Sequence, residues 1–223
     1  MAMVPAEGGP AGLPTLQLAD LACRRGGRLL FENVRLALPA GQIVWLRGRN
    51  GCGKTSLLRL VAGLSTPERG QVLWGDDPIR RSASYGRQLI YIAHGNALKD
   101  DLGAAEALAF LAKVHGRDAS PTAVDRALDT LGVANRRRAP VRTLSQGLRR
   151  RVALARLALD DRPALWVLDE PFDALDTDGS QRLQALLAAH QARGGSVLLS
   201  SHLPFAGPGL QPTPFDLDLN RAA

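Results

Sequence analysis

The run Gly48-Arg49-Asn50-Gly51-Cys52-Gly53-Lys54-Thr55 carries the densest chemistry in the chain. Its spacing is G-x-x-x-x-G-K-[ST], the pattern of a loop that cradles phosphates. The glycines let successive backbone N–H groups turn inward and leave room for phosphate oxygens. Lys54 brings a point charge to the β- and γ-phosphates, and Thr55 offers a hydroxyl to Mg²⁺. Ser56 follows on the first helical turn, so Gly48 to Ser56 form the expected nucleotide-binding set. The flanks agree with this reading. Ile43-Val44-Trp45-Leu46 is a short apolar run of the buried-strand type. Thr55 to Ala62 reads as a helix whose N-terminus faces the anion.

A second site-forming run lies far downstream. Ala164-Leu165-Trp166-Val167-Leu168 is apolar and ends in Asp169-Glu170-Pro171. A buried strand that delivers two carboxylates at its C-terminal end suits the ligand edge of an open α/β sheet. Alone, it would read as a strand ending in a solvated acidic turn. Beside a phosphate loop, Asp169 is expected in the Mg²⁺ shell and Glu170 as the general base that polarises water.

Three further motifs follow in order. Leu144-Ser145-Gln146-Gly147-Leu148 precedes Arg149-Arg150-Arg151-Val152-Ala153-Leu154-Ala155-Arg156. It resembles the L-S-G-G-Q signature and helix of ATP-binding cassette (ABC) proteins. Ala174-Leu175-Asp176 resembles that family's D-loop, and Ser200-Ser201-His202, after Val197-Leu198-Leu199, resembles its switch histidine. The resemblance covers roughly residues 14–203. It implies an α/β fold: a P-loop NTPase (ABC ATPase) core with a small antiparallel β-sheet and an α-helical subdomain. It implies ATP and Mg²⁺ as ligands, and an ATP-dependent dimer. In that dimer Ser145 and Gly147 of one subunit meet the γ-phosphate held by the other. Asp176 links the two sites, and His202 contacts the γ-phosphate and positions water. His94, after Tyr91-Ile92-Ala93, stands where most members have a glutamine that senses Mg²⁺ and the permease. A lone histidine is commonly structural, and no metal-ligand cluster surrounds it. The signature departs from the pattern at Gln146 and Leu148. The aromatic on which adenine usually stacks is replaced by Arg24-Arg25, and an arginine plane can also stack on a base.

Within the family, the short chain, Leu21-Ala22-Cys23, Leu30-Phe31, Arg47-Gly48 and the His94 substitution are similar to the ATPase subunits of bacterial haem exporter complexes of cytochrome c biogenesis. The resemblance implies integral membrane permease subunits as partners and a peripheral position at the cytoplasmic face of the inner membrane. The ATPase of another ABC exporter, for lipid, ion or drug, would carry the same five motifs. A non-transport ABC ATPase acting on nucleic acid would typically carry two cassettes, long coiled coils or zinc insertions, and this sequence has none of them.

The rest of the chain sets bounds. At 223 residues it is long enough for one sizeable core. No apolar run approaches the roughly 18 residues of a membrane span. Residues 1–13 are small and Gly/Pro-rich and read as a disordered tail without the order of a secretory signal. Residues 14–223 read as one ATP-binding domain with a helical subdomain at about 95–153. The net charge is +7, yet only Lys54, Lys99 and Lys113 are lysines among 28 basic residues. That skew resembles coding bias more than a nucleic-acid surface, so nucleic acid is not expected as a partner. Cys23 and Cys52 are not placed as a disulfide pair. With Cys52 in the loop and His202 at the switch, no clustered axial pair remains, so direct haem binding is not expected.

Strands are expected at Leu16–Ala22, Val34–Leu38, Gln71–Trp74 and Leu89–Ala93, with Arg24 to Arg28 as a turn. Helices are expected at Ala104–His115, from Pro121 behind the N-cap Ser120 to Gly132, and at Leu183–Ala192. His115 and His190 are expected on helix surfaces, and Phe215 to Leu219 as a last edge strand.

Overall fold

The computed structural model describes residues 13–82, 84–159, 162, 164–202, 207 and 209–220. The expected tail lies outside them, apart from Leu13. A four-stranded antiparallel sheet is built from β1 (Leu16–Arg25), β2 (Arg28–Leu38), β4 (Arg69–Trp74) and β5 (Asp77–Pro78), in the order β2-β1-β4-β5. A five-stranded parallel sheet holds β3 (Ile43–Arg47), β6 (Leu89–Ile92), β7 (Leu165–Leu168), β8 (Ser196–Ser200) and β9 (Thr213–Asp216), in the order β6-β7-β8-β3-β9. Every residue of β7 and β8 is buried. Helices pack on both faces of such a sheet, which explains the continuous apolar runs in place of alternation.

The helices are α1 (Lys54–Val61), α2 (Tyr85–Gln88), α3 (Ala104–Val114), α4 (Pro121–Thr130), α5 (Gln146–Leu154) and α6 (Thr177–Ala192). Ser120 caps α4 by accepting from Ala123 N, with Pro121 at the first helical position. Two apolar clusters form the core. One joins β1 and β2 to α1 and one face of the parallel sheet, through Phe31, Leu46 and Leu57. The other joins the opposite face to α3, α4 and α5, through Leu108, Leu128, Val152 and Trp166. The helical insertion therefore shares its core with the sheet that carries the site.

Four expectations are corrected. Arg24 and Arg25 belong to β1 and pair with Leu29 and Arg28, because a two-residue turn at Gly26-Gly27 suffices to join the strands. Helix α6 begins at Thr177, six residues earlier than its apolar periodicity, because Asp176 caps it by accepting from Gly179 N at 2.9 Å. The last strand ends at Asp216, and Leu217–Asn220 turn into a 3₁₀ helix that buries Leu217. His190 is fully buried. Its imidazole stacks on Trp166 at 3.5 Å between ring centroids, and Nε2 lies 2.9 Å from the Ala164 carbonyl oxygen. It shares one face of α6 with Leu183, Leu186 and Leu187, at the spacing of a core stripe.

Candidate nucleotide site

The phosphate loop leaves the C-terminal end of β3 and enters α1 at Lys54. Gly53 sits at φ 110°, and a Cβ there would lie 2.9 Å from the Phe31 ring. Only glycine fits both the backbone and the close approach. Phe31, buried in β2, thus carries the antiparallel sheet up against the loop. Lys54 is buried, and its ammonium donates to the Gly48 carbonyl at 2.7 Å. From the other side, the Asp218 carboxylate accepts from Arg49 N at 2.7 Å. The C-terminal 3₁₀ turn therefore braces the first half of the loop, a contact no local sequence pattern announces.

The C-terminal end of β7 brings the acidic pair to the same edge. Ser200 at the end of β8 donates its hydroxyl to Asp169 Oδ1 at 2.9 Å, and its oxygen accepts from Glu170 N at 2.9 Å. Glu170 holds a left-handed backbone, φ 46°, where a non-glycine residue is uncommon. Its Oε2 accepts from His202 N at 3.0 Å. His202 Nε2 lies 3.2 Å from Oε1, within ion-pair reach but outside hydrogen-bonding geometry. Burial pushes the Glu170 carboxyl above its ordinary range, partly opposed by the His202 contacts. A carboxylate so placed is a stronger proton acceptor than an exposed one.

Arg25, Leu30, Asn50, Lys54, Glu170 and His202 are among the residues that line a cleft of about 440 Å³. Gly51, Gly53, Thr55, Ser56, His94 and Asp173 complete its wall. That volume suits a small-molecule site. His94 faces this cleft, with Nδ1 3.7 Å from Asp173 Oδ2. Of the two arginines expected near a base, Arg25 lines the cleft, whereas Arg24 turns to Glu68 and the Gly27 carbonyl. One oxygen of the buried Asp169 carboxylate, Oδ2, has no hydrogen-bond partner. The Asp169 carboxylate and the Thr55 hydroxyl are each hard oxygen donors of the kind Mg²⁺ takes, although Thr55 lines the cleft and Asp169 does not.

Ser145, Gly147 and Asp176 are not brought to this cleft. With Leu148, Arg151 and Ala174 they line a separate cleft of about 240 Å³. Ser145 caps α5 by accepting from Leu148 N. A Cβ on Gly147 would sit 2.7 Å from the Ala174 carbonyl oxygen, so the signature helix and D-loop meet only because this residue is glycine. Arg151, buried, bonds both Asp176 and Asp178.

The run Arg149–Arg151 conceals the residue most central to the site. Arg150 is 3% exposed. Its Nη1 donates to the carbonyls of Ala93 at 3.0 Å and His94 at 3.3 Å, and to Asn96 Oδ1 at 3.3 Å. Its Nη2 donates to the carbonyls of Asp169 at 2.9 Å and Glu170 at 2.8 Å. In sequence, the only signal was an arginine on the apolar side of an amphipathic helix.

A phosphate loop at a helix N-terminus, with an acidic strand end facing it across a parallel sheet, defines a nucleoside-triphosphate-hydrolysing subunit. The comparisons agree. Residues 31–173 match the ABC transporter family. An ABC transporter ATP-binding protein of Pyrococcus furiosus shares the fold, with TM-score 0.80 over 93% of this chain and all of that one, at 23% identity. The ATP-binding subunit of an ABC transporter superposes with TM-score 0.73 at 27% identity, covering 84% of this chain and 79% of that one. The cytochrome c biogenesis ATP-binding export protein CcmA of Albidiferax ferrireducens is 46% identical over 85% of this chain and 90% of its own length. That of Aromatoleum aromaticum is 46% identical over 92% and 95%. That of Pseudomonas syringae is 47% identical over 85% and 88%. The chain belongs to the ABC transporter family, within its group of cytochrome c biogenesis ATP-binding export proteins. It is an ATP-binding, ATP-hydrolysing ABC subunit.

Proposed function

We propose that this chain drives the haem exporter complex of cytochrome c biogenesis, hydrolysing ATP at the cleft between Lys54 and Glu170. The observation that carries the reading is the joint one. Relatives named for cytochrome c biogenesis export align over most of the chain, and the cleft holds a buried, raised-pKa carboxylate opposite the phosphate loop.

The loop amides and Lys54 hold the triphosphate, with the α1 N-terminus adding its positive end. Thr55 and Asp169 would hold Mg²⁺, which would supply charge neutralisation to the bound triphosphate. Glu170 accepts a proton from the attacking water. Its backbone N–H is fixed by Ser200, and its carboxylate is aimed by the His202 amide. His202 and His94 line the same cleft, where they would contact the γ-phosphate. Because Ser145, Gly147 and Asp176 lie on a different cleft, the site is completed by a second cassette placed head to tail. ATP favours the closed pair and hydrolysis releases it, so the two states can bias a membrane partner.

No helix among the described residues is long and apolar enough to cross a membrane. The subunit works from the cytoplasmic face of the inner membrane, docked on integral permease subunits, and binds no haem itself. Exposed Leu64 lines an apolar groove of about 290 Å³ between the end of α1, β6 and α3. A cytoplasmic helix of the permease fits that groove by its apolar face. Expression with the neighbouring membrane subunits and purification in detergent tests the reading. A stable complex with ATPase activity, and loss of mature c-type cytochromes when Lys54 is replaced by alanine, are expected. Normal c-type cytochromes in a strain carrying only Lys54→Ala would refute it.

A further inference from the structure

Arg150 lines neither cleft, yet its guanidinium joins three parts of the machinery. It sits on α5, in the turn after Ser145 and Gly147. One nitrogen holds the loop after β6 through Ala93, His94 and Asn96. The other holds the carbonyls of Asp169 and Glu170. Glu170 needs such a clamp. Its φ of 46° is unfavourable for a side-chain-bearing residue and persists only if the surroundings over-determine it. Its N–H is tied to Ser200, its carboxylate to His202, and its carbonyl to Arg150. A planar fork with donors on both nitrogens satisfies carbonyls on two separate segments at once, which a lysine ammonium cannot do in the same geometry.

We propose that Arg150 is a positioning residue for hydrolysis. Through its two nitrogens it fixes the backbones of Glu170 and His94, and it ties their placement to α5, the helix whose N-terminus carries the signature. Motion of α5, when the signature engages the nucleotide of a second cassette, is then transmitted to the chain's own Glu170 without passing through the phosphate loop. The inference rests on Glu170 as general base.

The test compares Arg150→Lys, Glu170→Gln and the double variant in the membrane complex. For each, steady-state turnover and fluorescent-ATP affinity are measured. Arg150→Lys is expected to lower kcat by about tenfold or more, since a displacement of about 1 Å in a reacting group can cost up to ~10²-fold. ATP affinity is expected to stay within about threefold, because the loop and Lys54 are untouched. In the Glu170→Gln background, Arg150→Lys should lower the residual rate little further, because both act through one group. An equal fall of affinity and turnover would assign Arg150 to general stability and overturn the proposal. So would a full additional loss in the Glu170→Gln background. Wild-type turnover in Glu170→Gln alone would instead remove the general base, whatever Arg150 does. If Arg150→Lys does not fold, Asn96→Ala carries the test, since it removes one half-buried side-chain acceptor of Arg150. A kcat lowered about two- to threefold at unchanged affinity is then expected, and an unchanged kcat overturns the inference.

Discussion

The two ends of β7 bury titratable groups to opposite purposes. At the C-terminal end, Asp169 and Glu170 lie beside Arg150 and Ser200, with one oxygen of each carboxylate lacking a hydrogen bond and the Glu170 backbone held at φ 46°. At the N-terminal end, His190 is equally buried, and it is neutral, stacked on Trp166 and bonded to the Ala164 carbonyl. Burial pushes the Glu170 carboxyl up and the His190 imidazole down to about 4. Both shifts come first from desolvation, so a perturbed titratable group does not by itself mark a site. What separates the two ends is convergence. Glu170 at the acidic end faces a cleft lined by polar groups from several other segments, whereas the histidine meets the Trp166 ring and the Ala164 carbonyl.

The largest effect that would break this contrast is on turnover. Glu170→Gln should keep ATP affinity and lower kcat by about 10²- to 10⁴-fold, the usual cost of losing a general base. Steady-state ATPase measurement checks it, and turnover within threefold of wild type would move the base elsewhere. At the other end of the strand the loss should be structural. His190→Ala opens a void beside Trp166 and strands the Ala164 carbonyl, costing about 2–4 kcal/mol. Thermal melting should show a fall of about 5–15 °C for a chain of this size. The kcat of the folded fraction should be near that of wild type. A collapse of kcat in protein that remains folded would erase the distinction between the two ends.

Much of this contrast was legible in the sequence, and the illegible part has a physical reason. That Gly48 to Thr55, Asp169-Glu170 and Ser200 to His202 leave the C-terminal ends of parallel strands was readable, because short apolar runs followed by glycine-rich or polar residues mark such strand ends locally. The parallel sheet was readable because strands buried on both faces must be apolar throughout. Arg150 and Asp218 were not readable, because each acts on main-chain atoms: Arg150 on carbonyls up to 57 residues away and Asp218 on an N–H 169 residues away. Main-chain partners leave no trace in side-chain identity. His190 was misplaced on the surface because a polar residue type outweighed its position in the Leu183–Leu187 stripe. The hairpin arginines read as part of the turn, while Gly26-Gly27 alone make it.

A smaller effect sharpens the acidic end. Ser200 joins the two carboxylate residues, donating to Asp169 and accepting from the Glu170 amide. Ser200→Ala leaves that buried amide without its acceptor, at a cost of about 1–3 kcal/mol. Part of that cost should appear in catalysis as well as in stability, because the amide belongs to the proposed general base. Turnover should fall severalfold while ATP affinity holds, and Ser200→Thr, which keeps the hydroxyl, should recover most of it. Equal turnover in the alanine and wild-type proteins would mean that Arg150 and His202 suffice to aim Glu170.

The smallest effect separates the two ends by pH. Folding keeps His190 neutral down to about 4, whereas an unfolded histidine takes up its proton near 6.5. Between those values the unfolded chain holds the extra proton, so stability falls as pH drops through this window and levels off below it. At pH 5.5 the loss from His190 relative to pH 7 is about 1 kcal/mol. Other groups titrate over the same range, so the measurable quantity is a difference. His190→Phe keeps a ring against Trp166 and cannot take up a proton. Urea midpoints of both proteins between pH 7.5 and 5 should therefore converge as pH falls, with the wild type losing more. Parallel curves would show that the imidazole is not held neutral. The acidic end should show its pH dependence in a different observable. The raised Glu170 carboxyl must lose its proton to act, so kcat of the wild type should rise with pH along a limb displaced above that of an ordinary glutamate. That limb should be untouched in His190→Phe, because the histidine lies at the opposite end of the strand and in neither cleft.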